Sequence, residues 1–232
     1  MREILTAGLS VLGLDASAAE QLERYAGLLL EKNKVMNLTA ITEERDVATL
    51  HLLDCAALAA QLELKSKRVI DVGTGAGFPG LVLAILAPEG RFTLLDSLGK
   101  RVDFLQEVCD ALGLRNVKCV HARAEEFAAQ HREKFDLAAS RAVAQLNVLC
   151  ELTLPLVKVG GQFAAMKSTS TDQEIADARS AIAQLGGRLT GSRDYTVPET
   201  NVVHRIVYID KVQPTPKQFP RAFARIKKAP LI

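Results

Sequence analysis

A dense run of glycines follows the first apolar, β-branched segment of the chain and is the pattern best suited to holding a ligand. Residues 68–72 predict a strand buried on both faces, and glycines then stand at positions 73, 75, 77 and 80. Glycine lets a backbone turn tightly and approach a ligand without a Cβ in the way. The helix predicted over 79–87 would add unpaired N–H groups and the positive end of its dipole. The turn therefore predicts a nucleotide-binding loop at the open end of a sheet.

Two cofactors compete for this turn. Residues 75–80 spell the G-x-G-x-x-G dinucleotide fingerprint. In that fingerprint the first glycine opens the turn directly after the strand, whereas here the turn opens at Gly73 and a proline stands where the helix would start. The pattern Asp-x-Gly-x-Gly-x-Gly fits better a loop that holds the methionine end of S-adenosyl-L-methionine. Gly73 and Gly75 are therefore predicted cofactor contacts, and a nicotinamide-dependent oxidoreductase is the alternative.

Charged residues follow the next three predicted strands. Asp96 ends the strand over 91–96, where a carboxylate can accept hydrogen bonds from both ribose hydroxyls of either cofactor; its alternative role is a helix cap. Glu125 and Glu126 follow the third strand, where an adenine amino group would lie, or else they form a solvated helix start. Arg141 follows the fourth strand and would face the sulfonium and the methyl acceptor, with a purely structural role as the alternative.

The elements that must position these residues alternate along the chain. Short apolar runs predict strands, and runs with a 3.6-residue period predict helices. The predicted strands are 68–72, 91–96, 117–120, 135–139, 162–166, 188–196 and 205–211, and the helices between them are 79–87, 98–112, 143–157 and 172–185. The last two strands, separated by a short loop, should pair antiparallel. This order predicts an α/β chain with the Rossmann-like, seven-stranded class I S-adenosylmethionine-dependent methyltransferase fold.

The chain divides into three predicted parts. Residues 1–62 form an N-terminal helical extension, residues 63–212 the methyltransferase domain, and residues 213–232 a basic C-terminal tail. Within the extension, Ser17 and Glu20 have the spacing of a capping box, and a second helical stretch covers about 43–61. His51 lies on that apolar helix and is interpreted as a hydrogen-bonded core histidine.

The charge distribution favours contact with a polyanion. The whole chain has a net charge of +2, but residues 211–232 hold six basic and no acidic residues, which leaves the first 210 residues at −4. Such a segment could bind RNA phosphates or simply be a solvated surface. Phe219 and Phe223 could stack on bases, or pack onto the sheet edge. The candidate phosphate contacts are Lys100, Arg101, Arg221, Arg225 and Lys227.

Composition narrows the class of protein further. Hydrophobic residues make up 48% of the chain and charged residues 24%, which is an ordinary balance for a globular protein. The four cysteines show no C-x-x-C spacing, so we expect reduced thiols and no metal site. No apolar run approaches about 18 residues, and the N-terminus lacks the apolar core of a signal peptide. We therefore expect a cytoplasmic protein that makes no membrane contact.

Longer segments of the chain resemble one family, the bacterial small-subunit ribosomal RNA guanine-N7 methyltransferases, historically called glucose-inhibited division protein B. The resemblance runs over most of the chain and is most specific in the blocks Gly73–Gly80 and Asp96–Arg101. The matching segments are 37–41, 51–54, 71–80, 94–101, 123–126, 135–136 and 140–142.

The resemblance implies the cofactor, its contacts and the acceptor. S-adenosyl-L-methionine would be held by Gly73, Phe78, Ala124, Glu125 and Arg141. The acceptor would be N7 of one guanosine in 16S rRNA or the small ribosomal subunit, and we expect the protein to act as a monomer. Guanine N7 carries a free lone pair that base pairing leaves exposed, so the reaction requires no general base. We therefore assign no residue a catalytic role. A non-catalytic RNA-binding or assembly factor with the same fold is a third hypothesis.

Overall fold

Seven strands form one mixed sheet in the computed structural model, which describes residues 1–141 and 144–232. In chain order they are β1 (Arg68–Val72), β2 (Arg91–Asp96), β3 (Val117–His121), β4 (Phe135–Arg141), β5 (Val157–Ser168), β6 (Gly187–Thr196) and β7 (Val203–Lys211). The sheet order is β3-β2-β1-β4-β5-β7-β6. The neighbours from β3 to β5 are parallel, and β7 is antiparallel to both β5 and β6. This topology confirms the predicted α/β fold with its terminal antiparallel pair.

Helices cover both faces of the sheet. They are α1 (Arg2–Val11), α2 (Ala19–Met36), α3 (Glu44–Asp46), α4 (Asp54–Ala59), α5 (Gly80–Leu86), α6 (Gly99–Leu112), α7 (Ala124–Gln130), α8 (Leu146–Thr153), α9 (Asp172–Gln184) and α10 (Phe223–Lys228). A π-helical segment, Val47–Leu53, joins α3 to α4, so the helix predicted over 43–61 is continuous but not uniform. Within the described ranges, no helix has both the length and the apolar character needed to cross a membrane.

Two predicted helix starts differ from the structure. The cap before α2 is Asp15 instead of Ser17, because the Asp15 carboxylate accepts a hydrogen bond from the backbone N–H of Ser17 (2.9 Å) and opens a short 3₁₀ turn. The helix predicted over 143–157 begins at Leu146, and residue 143 lies outside the described residues. It ends at Thr153, where Pro155 in the next turn lacks the N–H needed to continue it.

The apolar core lies on both faces of the sheet. Val69 and Leu94 pack against the N-terminal helices and α5 and α6 on one face, whereas Ile70 and Leu95 pack against the α7–α9 side. Tyr25 of α2 is fully buried in the first of these cores, and its hydroxyl donates a hydrogen bond to the carbonyl of Ala76 (2.6 Å). The N-terminal helices therefore share the core of the sheet and touch the glycine turn directly.

The C-terminal segment is anchored by charged groups. Glu151 of α8 is fully buried, and its two oxygens accept hydrogen bonds from the Arg221 guanidinium at 2.8 and 2.6 Å. Arg132 donates to three backbone carbonyls of the same segment. Arg221, a predicted phosphate contact, thus has a buried carboxylate partner that holds the tail against the domain.

Replacing Glu151 with alanine should destabilise the fold. The substitution leaves the Arg221 guanidinium without its counter-charge, so we expect the free energy of unfolding to fall by about 3 kcal/mol. Urea denaturation of the two proteins measures the change. The matched control is Glu31→Ala in the exposed Glu31–Lys34 pair, which should leave stability nearly unchanged. Equal losses in both variants would contradict the structural role given to Glu151.

Candidate active site

The glycine turn after β1 has a backbone that only glycine adopts easily. Gly73, Gly75 and Gly77 have φ values of 73°, 61° and 110°, in the region that side chains with a Cβ disfavour. A Cβ at Gly77 would lie 2.7 Å from the Tyr25 hydroxyl, so close packing also excludes a larger residue there. A Cβ at Gly75 would meet nothing within 4 Å. The turn is therefore packed against the protein at Gly77 and open on its outer side at Gly75.

Asp96 joins the end of β2 to this turn. Its side chain is only 4% exposed, and Oδ2 accepts a hydrogen bond from the backbone N–H of Gly75 (2.9 Å) while Oδ1 accepts one from Leu98 (2.9 Å). The Arg101 guanidinium lies 3.6 Å from Oδ2. The structure thus brings together Gly75 and Asp96, two residues that the sequence predicted for one site, and adds Arg101, which was predicted for RNA instead.

The buried side chain of Asp71 in β1 binds the backbone at the start of α5. Its Oδ2 accepts a hydrogen bond from the backbone N–H of Gly80 (2.8 Å). Burial raises the pKa of Asp71 to about 6, against the opposing effects of the Thr74 hydroxyl and the Gly80 N–H. The expectation that this helix start offers unpaired N–H groups to a ligand is therefore wrong for Gly80. Its donor is already used by a carboxylate of the chain itself.

Ala124 and Glu125 lie at the start of α7, directly after β3. The Glu125 side chain is 10% exposed and its Oε1 accepts a hydrogen bond from Nε of Arg123 (2.6 Å). The Arg123 guanidinium in turn lies over the Phe223 ring at 4.8 Å, within the range of a cation–π interaction. Glu125 is therefore held in one orientation by a neighbour that also contacts the C-terminal segment.

Arg141 at the end of β4 is held by contacts with four residues. Its guanidinium lies 4.7 Å from the centre of the Phe78 ring. Nη1 donates to the carbonyl of Leu50 (3.1 Å) and lies 3.3 Å from Oδ2 of Asp54, while Nη2 lies 3.1 Å from Nδ1 of His51. The structure thus brings Phe78 and Arg141 together, as predicted for one site. Arg141 also packs against the helical stretch that carries His51 and Asp54.

Asp54 gathers donors from three strands. Its side chain is 2% exposed, and besides Arg141 it accepts hydrogen bonds on Oδ1 from the Tyr195 hydroxyl (2.6 Å) and from Nδ1 of His204 (2.8 Å). This hydrogen bond raises the pKa of His204, and burial raises the pKa of Tyr195. Sequence analysis missed Asp54, Tyr195 and His204 as a group. The signal available was the His51-Leu-Leu-Asp54 segment within the family resemblance, without any local clue to its partners.

His51 is neutral in the folded protein. Burial, together with the neighbouring Arg141 guanidinium, lowers its pKa to about 4. Because arginine can only donate, Nδ1 accepts from Arg141, and Nε2–H donates to the Thr39 hydroxyl (2.7 Å). The interpretation of His51 as a hydrogen-bonded core histidine is confirmed. Its position against Arg141 also makes it part of the structure that orients this arginine.

A cavity of about 610 Å³ opens beside Arg141 at the carboxyl ends of β4 and β5. Lys167 and Glu174 form an ion pair in its wall (2.6 Å), and Lys167 also donates to the carbonyl of Ala144 (2.6 Å). Its lining residues are Leu50, His51, Asp54, Arg141, Ala144, Gln145, Met166, Lys167, Ser168, Thr171, Glu174 and His204. The wall therefore combines apolar surface with paired donors and acceptors, a composition suited to a planar polar ligand.

The predicted RNA contacts lie in three different environments. Lys100 is exposed at the start of α6, and Arg225 and Lys227 are exposed on α10. Arg101 and Arg221 have carboxylate partners, as described above. Phe219 is 7% exposed and packs in the core, so stacking of Phe219 on bases is wrong, whereas Phe223 carries the Arg123 guanidinium on its ring.

Known proteins resemble this chain over most of its length. A family model described as rRNA small subunit methyltransferase G matches residues 18–200. The Clostridium perfringens (strain 13 / Type A) protein named ribosomal RNA small subunit methyltransferase G is 48% identical over 210 residues, which cover 89% of this chain and 88% of the relative. The protein of the same name from Alkaliphilus metalliredigens (strain QYMF) is 45% identical over 233 residues, 98% of each chain.

A solved structure shares the fold at much lower identity. The crystal structure of M. jannaschii TYW2 in complex with AdoMet is similar with a TM-score of 0.55 and 14% identity, covering 67% of this chain and 74% of that one. At this identity the likeness shows a common fold and nothing finer.

The neutral state of His51 predicts a pH dependence of stability. In the unfolded chain a histidine has a pKa of about 6.5. Between that pH and about pH 4, His51 is protonated in the unfolded state but stays neutral in the folded state. The contribution of His51 is therefore fully present above about pH 6.5 and is lost as the pH falls toward 4, by about 3 kcal/mol in total.

Urea denaturation between pH 7 and pH 4.5 tests this. The stability of His51→Gln should fall less steeply with decreasing pH than that of the wild-type protein. His121→Gln, at the exposed end of β3, should follow the wild type. If all three proteins lose stability in parallel, the neutral buried state of His51 is wrong.

Proposed function

The chain belongs to the rRNA small subunit methyltransferase G (GidB) family, and from that premise we propose that it transfers a methyl group from S-adenosyl-L-methionine to N7 of one guanosine in 16S ribosomal RNA. The observation that carries the proposal is the hydrogen bond between the buried Asp96 carboxylate and the glycine turn. It fixes an acidic group and an open, glycine-only backbone at the same end of the sheet.

The residues at this end fit the cofactor. The outer side of Gly75 is open space, so a ligand can approach the backbone of the turn. Asp96 accepts one hydrogen bond from Gly75 and one from Leu98. Because a carboxylate has about four acceptor sites, it can also accept hydrogen bonds from ribose hydroxyls. Gly73, Phe78, Ala124 and Arg141 complete the proposed cofactor site, and Glu125 offers an acceptor to the adenine amino group.

The chemistry demands position more than proton transfer. S-adenosyl-L-methionine supplies an electrophilic methyl group on its sulfonium when bound. Guanine N7 needs no deprotonation, and the two ionisable groups that contact the Arg141 guanidinium are already engaged: Asp54 accepts three donors, and both ring nitrogens of His51 are hydrogen-bonded. The chain's contribution is therefore to hold the two reactants in the correct orientation and to exclude water.

The acceptor base enters the cavity beside Arg141. The Lys167–Glu174 pair supplies a donor and an acceptor in the wall, which complement the O6 acceptor and the N2 donor of guanine. Apolar surface from Leu50 and Met166 can cover the faces of the ring. A base held by these groups would present its edge toward the end of β4, where Phe78 and Arg141 meet.

The sequence also suggested two alternative functions, an oxidoreductase and a non-catalytic assembly factor. Membership in a methyltransferase family makes the nicotinamide-dependent oxidoreductase wrong, although the G-x-G-x-x-G spelling is present. We also propose that the protein is cytoplasmic, because its substrate would be ribosomal RNA, and that it acts as a monomer. The same membership identifies the chain as a methyltransferase, and turnover is the measurement that distinguishes it from a non-catalytic assembly factor.

Methyl transfer from labelled cofactor to small ribosomal subunits and to protein-free 16S rRNA tests the function. We expect one labelled guanosine, mapped by chain cleavage specific for N7-methylguanosine. Cofactor binding without incorporation into either substrate would contradict the proposal and favour the assembly factor.

Asp96→Asn should weaken cofactor binding. The substitution replaces one acceptor by a donor and removes a charge, and hydrogen bonds to charged groups contribute about 1.5–3 kcal/mol, so the Kd for S-adenosylhomocysteine should rise at least about tenfold. Isothermal titration calorimetry measures it. Asp103→Asn, exposed on α6, is the matched control and should bind as the wild type does. Equal affinity of all three proteins would remove Asp96 from the site.

A further inference from the structure

A basic cavity lies at the opposite end of the sheet from the proposed active site. It measures about 410 Å³ and is formed at the amino ends of β1, β2 and β3. Four of the described lining residues are cations and none is a carboxylate: the cations are Arg68, Arg91, Arg115 and Lys118. The glycine turn and Asp96 stand at the carboxyl ends of the same strands, which are five or six residues long, or roughly 17–20 Å away.

The strand register places three of these cations on one face. Arg68 pairs with Arg91 across β1 and β2, so both side chains project from the same side. Thr93, two residues after Arg91, pairs with Lys118 of β3, and alternation along the strand puts Lys118 on that side too. Like charges directly opposite each other destabilise a sheet. The Arg68–Arg91 pair therefore lowers the stability of the sheet, whereas oppositely charged residues at these positions would raise it.

These cations have no carboxylate partner among the residues that the structure describes. Arg68, Arg91, Arg115 and Lys118 form no ion pair and no side-chain hydrogen bond there, in contrast to Arg221 with its buried carboxylate. All four are exposed. Unpaired guanidinium and ammonium groups converging on one cavity form a site for an anion that the chain does not itself provide.

Aromatic rings form the floor of the same cavity. The His131 ring stacks on Phe127 with centroids 3.8 Å apart, and the Arg68 guanidinium lies 5.6 Å above the Phe135 ring. Helix α7 ends at Gln130, so the amino-terminal part of this sheet face is not covered by it. Phe127 and Phe135 are themselves buried (8% and 4% exposed), so the rings support the cations that line the cavity and the contact offered to a ligand is with its phosphates.

We propose that this cavity is a second RNA-binding surface, which holds the phosphate backbone of the substrate at a segment distant from the methylated base. The inference rests on the proposed function, since ribosomal RNA is the polyanion that the enzyme must grip. Its position requires a folded RNA that reaches both ends of the sheet, because a short single strand bound only at the active site would not extend to it.

The double variant Arg91→Ala and Lys118→Ala tests the proposal. Binding of protein-free 16S rRNA is measured by filter retention over a series of salt concentrations. Each phosphate contact contributes about 0.7–0.9 to the slope of log K against log salt, so the slope should fall by about 1.4–1.8 and the affinity on the order of tenfold. The matched control is Arg179→Ala with Arg193→Ala, two exposed arginines near the opposite sheet edge that remove the same charge.

The outcomes separate this inference from the proposed function. Cofactor affinity should be unchanged in both double variants, which shows that the fold is intact. Wild-type affinity and slope in the Arg91/Lys118 variant, with methylation intact, would overturn the second surface and leave the function standing. Weaker binding to assembled subunits alone would assign the cavity to an acidic protein surface and overturn it as well. A wild-type protein that neither binds nor methylates RNA would overturn both.

Discussion

The carboxylate of Asp54, removed almost completely from water, is the group on which the arrangement of the site depends. An isolated buried charge is costly, and it is tolerated only when hydrogen-bonded donors surround it. Those donors come from the ends of β4, β6 and β7, through Arg141, Tyr195 and His204. One side chain on a helix of the N-terminal region thus fixes three strands relative to that helix, and with them the guanidinium stacked on Phe78 and the mouth of the neighbouring cavity.

Local sequence determined what could be predicted. The buried strands, the glycine turn and the acid that ends β2 each lie within a short window with a strong pattern, and the structure has them where that pattern places them. Asp54 and Tyr195 are 141 residues apart, so no window contains both, and neither shows its role alone. The same limit explains β5, predicted over 162–166 but found as Val157–Ser168, because its extra length is set by pairing with distant strands.

Charge in the sequence and charge available for binding are different quantities in this protein. The basic tail was the obvious polyanion site, yet Arg221 neutralises the buried Glu151 and holds the tail on the domain. Arg68, Arg91 and Lys118 lie far apart along the chain and form no cluster in the sequence. They become a cluster only through the register of three strands. Pairing, which depends on the fold, decides which cations remain available to a ligand.

The separation between the basic cavity and the proposed active site at the other end of the sheet is fixed by the length of rigid strands, so one RNA can contact both only if its fold presents two segments at that distance. Two modest contacts multiply only if a single partner presents both at the matching span. An RNA fragment with the correct loop but no surrounding architecture would engage one end of the sheet and dissociate quickly. A correctly folded particle would engage both. In this way the protein would recognise the three-dimensional fold of its RNA without contacting many bases.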